Sequence, residues 1–464
     1  MDENLEIIKN LNRLVKLSID VGEASSLEEA NKIFSGYRLG IFIGKEEVNS
    51  PAYHAAILTA VNTARRCFLG GVYVFGEVNV PLLVKWKNHR TLAGAIDDLQ
   101  GKIVTDIGYD LPIINFSNEM SISNETEFSI RPIIHGWNGG IIPCRDYEPI
   151  LSNEIFTPAG VLAGAIAISE AFQQIRGDSC IVGHRSVGMS LWEPSTNGNW
   201  LQSDPGPSLE VLPSKLWLIG LGHLGQAYLW TLGFLPYPKD SKVQLVLQDF
   251  DKLEIANDST SLLTNSSIIG KMKTRAMADW CEDRGFTPMI LERKFSGDFA
   301  INSDEPALAL GGVDNIAARR DLDKVGFKLI IDAGLGKGTQ EYLGFKINTF
   351  PSSRSADQCW KPKQDTKDTD NPYQNIIQQP VYEQLLNQGM DGCGLVELAG
   401  KSVGASFVGA ITSALVIAQV LRFVQGSDVD EVINGDLRAS KIFNTVIKNP
   451  KTPPLFNPGL IKVN

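Results

Sequence analysis

Apolar and polar residues alternate along this chain in blocks that predict strands and helices in turn. In the first 200 residues, Leu39–Gly44 (LGIFIG), Val72–Phe75, Leu111–Phe116 and Ile130–His135 read as short buried strands. Between them, Ala52–Phe68 carries apolar residues at helical spacing, and residues 86–104 return through a helix to another strand. Residues 1–35 read as one or two polar-faced helices. A second series opens at Lys215–Gly220 (KLWLIG), continues with a strand at Val243–Leu247 and runs to about residue 350. Such alternation predicts an α/β fold of parallel-rich sheets with helices on both faces. Pro194–Pro213, rich in Pro, Gly, Ser and Asn, reads as a linker between the two series.

The two series echo one another. Residues 156–177 (FTPAGVLAGAIAISEAFQQIRG) and 401–426 (KSVGASFVGAITSALVIAQVLRFVQG) each open on small residues, run on as an Ala/Ile-rich helix and end with an Arg and a Gly. The same helix closing each half predicts a duplicated domain. The expected division is 1–195, a linker at 196–213, and 214–464, with a long polar loop over 351–400.

The formal net charge of -10 and pI of about 5.2 argue against nucleic acid as the main partner, because phosphate binding needs a basic face. Six cysteines stand singly, none in a C-x-x-C pair, so a structural zinc site is not expected. No signal-peptide core opens the sequence, and no run of about 20 uninterrupted apolar residues predicts a membrane span. These features lead us to expect a cytoplasmic protein with reduced thiols.

Gly220-Leu-Gly222-His-Leu-Gly225 lies between a strand and a helix, the context in which G-x-G-x-x-G cradles phosphate. Downstream, the second strand ends in Gln248-Asp249-Phe250-Asp251, where a dinucleotide fold places one acid for the ribose. Two acids at alternate positions, followed by Leu253 to Asn257, are unusual for a dehydrogenase.

From Leu212 to about Arg422 the sequence resembles the E1-like adenylation family, which includes ubiquitin-activating enzymes and bacterial relatives in thiamine and molybdopterin synthesis. The similarity rests on ordered pieces: the glycine turn, QDFDKLEIAN, Gly270-Lys271-Met272-Lys273, Gly312-Val313-Asp314-Asn315 with Arg319 and Arg320, and LIIDAGLG at Leu329–Gly336. The resemblance implies two Rossmann-like adenylation domains in tandem, the first degenerate, packed as an intrachain pseudo-dimer. It implies ATP and Mg2+ at Gly220, Gly222, Gly225, Asp249, Asp251, Asn257, Lys271, Lys273, Asp314 and Asn315. Lys273 would contact phosphate, with Lys271 its rival, and Asp314 would be the metal ligand or a helix cap. Adenylation joins a carboxylate to the α-phosphate, so cations must offset repulsion between anions. Two departures stand out: His223 replaces a family glycine, and the arginine of the family's N-x-x-R-Q stretch is missing after Asn257. Arg13 and Arg38 are first-half candidates to replace it.

The resemblance further implies a ubiquitin-like protein as substrate, a thioester on a cysteine of the 351–400 loop, and transfer to an E2-like protein. Cys393 (MDGCGLVELAG) is the favoured thiol and Cys359 (SADQCW) the other. With its tail around Asn434–Arg438, the chain is similar to the E1-like proteins of bacterial ubiquitin-like conjugation (Bil-type) operons tied to antiphage defence. The alternatives are an NAD(P)-dependent Rossmann oxidoreductase and a non-catalytic scaffold.

Overall fold

The computed structural model describes residues 10–107, 111–118, 128–146, 155–195, 199–360, 374–439 and 442–463. The first sheet contains β1 (Arg38–Ile43), β2 (Gly71–Gly76), β3 (Lys102–Ile103), β4 (Ile113–Phe116), β5 (Ser129–His135), β6 (Asn138–Pro143) and β7 (Val187–Ser190), in the order β3-β2-β1-β4-β5-β6-β7. After β8 (Val211–Pro213), the second sheet contains β9 (Lys215–Ile219), β10 (Gln244–Gln248), β11 (Thr287–Leu291), β12 (Leu308–Gly311), β13 (Leu329–Leu335), β14 (Gly344–Phe350), β15 (Asp430–Asp436) and β16 (Phe443–Lys448), in the order β11-β10-β9-β12-β13-β14-β15-β16. A last strand, β17 (Leu460–Lys462), pairs with β8.

Counted within each sheet, both orders read 3-2-1-4-5-6-7, and the second adds an eighth strand. The first five strands of each sheet pair in parallel and the later ones antiparallel. Two halves of one topology therefore stand in tandem.

The helices are α1 (Val15–Asp20), α2 (Leu27–Ser35), α3 (Pro51–Ala64), α4 (Leu92–Asp98) and α5 (Thr157–Arg176), then α6 (His223–Gly233), α7 (Lys273–Asp283), α8 (Ile316–Arg320), α9 (Ala356–Cys359), α10 (Gln374–Ile377), α11 (Pro380–Asn387), α12 (Gly392–Gly400) and α13 (Ser406–Val424). The echoing helices α5 and α13 occupy the same slot, between the sixth and seventh strands of their sheets. Their small residues have a steric cause. A Cβ on Gly160 or Gly164 would lie 2.0 or 2.2 Å from the carbonyl oxygens of Ala52 and Ala56, so α3 and α5 meet backbone to backbone. The hydroxyls of Thr231 on α6 and Ser413 on α13 share a 2.6 Å hydrogen bond. Trp230 Nε1 on α6 donates to Thr59 Oγ1 on α3 at 2.9 Å, across the two halves. Helices α3, α5, α6 and α13 thus form a layer in which one apolar core runs through both halves. Helix α13 is long and apolar enough to cross a membrane, but 89% of its apolar window is buried in this layer.

Three sequence expectations change. Helix α1 has no polar face: all six residues are buried, and its charges, Lys16 and Asp20, pair with each other one turn apart. The described part of the expected linker is packed. Trp137 donates from its backbone and its indole to the carbonyls of Pro205 and Pro207, at 2.7 and 2.8 Å. The described residues of 351–400 are largely helical, not looped. Their helix starts are capped by Ser355 and Asp391, and Pro380 opens α11.

Candidate active site

The turn after β9 is built by two glycines. Gly220 has φ +86°, a left-handed conformation that L side chains avoid. A Cβ on Gly225 would lie 2.0 Å from Gly220 O, so the helix starts in contact with the turn. Gly222, the residue before α6, faces open space: no heavy atom lies within 4 Å of where its Cβ would stand. A helix N-terminus with free N–H groups and an empty cradle beside it suits an anion. His223 does not close the cradle. Its ring turns back onto α13, where a Cβ on Gly409 would lie 2.4 Å from His223 Nε2. Burial pushes the His223 pKa down to about 4, so the ring is neutral at pH 7.

Asp249 is the brace of the turn. Its Oδ2 accepts from Leu221 N at 2.7 Å and its Oδ1 from Asp251 N at 2.9 Å. Lys273, the first residue of α7, lays Nζ 2.9 Å from Asp251 Oδ2 and 3.9 Å from Asp249 Oδ1. Lys271 goes elsewhere: its Nζ reaches Asp279 at 3.5 Å on the exposed flank of α7. Of the two rival lysines, only Lys273 stands with the paired acids.

Asn257 lies in a short 3-10 turn, Ile255–Ser259, where its Oδ1 accepts from Glu254 N at 2.8 Å. Across β12, Asn315 caps α8, its Oδ1 accepting from Ala317 N and Ala318 N. Asp314 was expected to serve as metal ligand or as helix cap. The cap is Asn315, and Asp314 is exposed, with no hydrogen bond or ion pair among the described residues. No cluster of three or more His, Cys, Asp and Glu that could hold a metal occurs among the described residues. A divalent cation here would take Asp314 plus oxygens from a bound phosphate chain, as Mg2+ commonly does. An open carboxylate beside an open anion cradle fits that donor set.

The first half also reaches this site. Arg13 donates from its backbone to Ser259 Oγ at 3.1 Å. Its guanidinium has no hydrogen-bond or ion-pair partner among the described residues; burial lowers its pKa, and Glu254 raises it. Arg38 lies at the opposite end, at the start of β1, and is exposed. Sequence reading missed Arg65 and Arg66, which grip the segment after Asn257, because α3 reads as a plain core helix.

The equivalent turn of the first half is filled. Gly44, following β1 as Gly220 follows β9, has Glu47 Oε2 within 2.5 Å of where its Cβ would stand. Glu47 is fully buried, and burial raises the pKa of its carboxyl.

The two cysteines differ. Cys359 ends α9 and is half-buried, and burial pushes its thiol up. Cys393 is exposed in the first turn of α12, two residues after the capping Asp391. Helix α12 packs against the first half, with Lys16 Nζ 3.3 Å from Ala399 O.

Comparison with known proteins gives two family matches. The BilD N-terminal domain matches residues 38–191 and the BilD C-terminal domain residues 212–427. The chain is 39% identical over 426 residues, 92% of its length and 91% of the relative's, to a protein of Collimonas sp. (strain OK412) named bacterial E1-like protein BilD. Similar solved structures include E. coli MccB with ATP (14% identity, TM-score 0.32, covering 51% of this chain and 64% of that one). Another is PaaA (14% identity, TM-score 0.30, covering 50% and 65%). The chain spans less than two thirds of the length of these solved chains.

Proposed function

Because this chain belongs to the BilD family, whose Collimonas relative is named a bacterial E1-like protein, we propose that it activates the C-terminal carboxylate of a ubiquitin-like protein with Mg-ATP. The observation that carries this reading is Lys273, held between Asp251 and Asp249 beside the open glycine turn. Asp249 and Asp251 would take the ribose hydroxyls, Lys273 and Arg13 the phosphates, and Asp314 the magnesium ion, which supplies charge neutralisation when bound.

A carboxylate oxygen of the substrate attacks the α-phosphorus, and pyrophosphate leaves with the electrons of the broken P–O bond. The Cys393 thiolate then attacks the acyl carbon, and AMP leaves with the electrons of the C–O bond. The thioester passes to the cysteine of an E2-like protein. The first half serves as the partner subunit of an intrachain pseudo-dimer: its own cradle holds Glu47, and it lends Arg13 to the second. A nicotinamide oxidoreductase would leave Lys273 and Asp314 without roles.

The test is a non-reducing gel of the protein mixed with Mg-ATP and candidate ubiquitin-like proteins. A reducible, ATP-dependent adduct, lost in Cys393→Ala and kept in Cys359→Ala, is expected. Pyrophosphate exchange without any adduct would leave adenylation and remove the thioester step. Absence of both signals would sink the enzyme reading.

A further inference from the structure

The side chain at the mouth of the open cradle turns its back on it. His223 is half-buried as a residue, yet its Nε2 is shut off from water and has no hydrogen-bond partner among the described residues. The ring is seated between two glycines at the entry of α13. A Cβ on Gly409 would stand 2.4 Å from Nε2 and 2.5 Å from Cδ2, and one on Gly404 would stand 3.9 Å from Nδ1. The Gly404 Cβ would also lie 3.2 Å from the Thr260 methyl. Burial lowers the ring's pKa to about 4, while the backbone of Ser406 and Ala405 pulls it the other way.

The wall behind the ring is fixed. Ser406 Oγ donates to Thr63 O on α3 at 3.1 Å, which ties the entry of α13 to the first half. Ser406, Phe407 and Val408 are all buried. The turn in front of the ring is held unevenly. Leu221 is gripped on both sides, its N–H donating to Asp249 Oδ2 at 2.7 Å and its carbonyl accepting from Gln226 Nε2 at 3.1 Å. Gly225 is pressed onto Gly220 O. Gly222 stands in open space, and the next anchor along the chain is the His223 ring. An imidazole is thin enough to enter between two glycine backbones. With only two side-chain torsions, a ring fixed at its tip also fixes the backbone that carries it. Donors aimed before a ligand arrives bind more tightly than donors that must be ordered on binding.

We propose that His223 is a positioning residue: wedged between Gly404 and Gly409, it locks the open side of the glycine turn, so that the N–H groups at the start of α6 face the nucleotide's phosphates before binding. The inference rests on the adenylation reading above for its ligand and adds the residue that sets the turn. His223 acts through the backbone, not by touching phosphate.

The test is Mg-ATP binding by calorimetry, with thermal unfolding alongside. His223→Gly removes the wedge, and the Kd for Mg-ATP is expected to rise about tenfold. Gly409→Ala keeps His223 and drives its ring out of the notch. The same rise is expected, and this variant gives the answer even if His223→Gly fails to fold. In the double variant the added methyl meets no ring, so the two losses should not add. In pyrophosphate exchange, the KM for ATP should rise in each variant while the KM for the ubiquitin-like protein stays unchanged. Lower melting temperatures with an unchanged Kd for Mg-ATP in both variants would overturn the inference and leave His223 as packing. Fully additive losses would overturn it too, because ring and notch would then act separately. An unaltered chain that binds no Mg-ATP would instead remove the adenylation reading, and the ligand of the wedge with it.

Discussion

Arg65, just past the end of α3 in the first half, donates from Nη2 to Asp258 Oδ1 in the second half at 2.7 Å. Arg66 beside it is buried and donates to the carbonyls of Ser261 and Thr264 at 2.9 and 3.1 Å. Asn62 adds a 3.1 Å bond to Leu262 O. The chain after Asn257, where the family's arginine is missing, is therefore held from the other half. The first half therefore forms one wall of this segment.

Replacing Arg66 by Met should show how much that wall matters. The variant keeps the apolar stem and leaves the Ser261 carbonyl without its Arg66 donor, while Thr264 O keeps the bond from Arg65 Nη2 at 3.0 Å. A stability loss of about 2 kcal/mol is expected in denaturant unfolding. Because Asn257 sits at the head of the same segment, the KM for ATP should rise as well. A stability loss with unchanged ATP kinetics would mean that the segment only cements the halves.

Lys273 and Lys271 make a matched pair for assigning the phosphate cation. Lys273→Ala removes the cation that stands with Asp249 and Asp251, and pyrophosphate exchange should fall on the order of 100-fold or more. Lys271→Ala removes an exposed flank charge worth little, and exchange should stay within about twofold. The reverse ranking would mean that α7 turns to use the other lysine when nucleotide binds.

Much of this was legible in the sequence. The runs LGIFIG and KLWLIG became β1 and β9, and the echo between residues 156–177 and 401–426 became α5 and α13 in equivalent slots. The glycine turn, the paired acids and Lys273 lie within 55 residues of one another, so local spacing carries them. What spacing could not carry is contact between distant segments. Arg65 and Arg66 meet Asp258 across 193 or 192 positions, on a helix whose pattern reads simply as core. His223 reads as a break in the glycine turn until α6 and α13 pack and Gly409 leaves room for its ring. Asp314 and Asn315 compete for one cap, and only the backbone decides between them.

Under the adenylation proposal, Arg13 is the first-half arginine assigned to the phosphates. It lies against Ser259 with its guanidinium unpaired among the described residues, whereas Arg38 sits at the far end of β1. Arg13→Ala should cost exchange on the order of 10- to 100-fold with little loss of stability, because no hydrogen-bond or ion-pair partner among the described residues is stranded. Arg38→Ala should change neither. A collapse of stability in Arg13→Ala, measured by thermal unfolding, would recast this arginine as a structural strut.

His54 gives the protein a defined sensitivity to acid. It is fully buried on α3, with Nε2 2.9 Å from Val48 O and Nδ1 accepting from Leu83 N at 3.2 Å. Those partners require the neutral ring with its proton on Nε2, and burial lowers the pKa from 6.5 to about 4. Between those values the unfolded chain binds the proton and the folded chain does not. Stability is therefore complete above the unfolded pKa and declines as pH falls toward the folded one. Each pKa unit is about 1.4 kcal/mol, so the decline from this residue approaches about 3 kcal/mol. In His54→Gln, the amide donates to Val48 O and accepts from Leu83 N without titrating. Carboxylates common to both proteins cancel in the comparison. The melting temperature of the variant should therefore gain on that of the unaltered chain as pH drops from 7.5 to 4.5. Parallel profiles would mean that His54 titrates alike in the folded and unfolded chains.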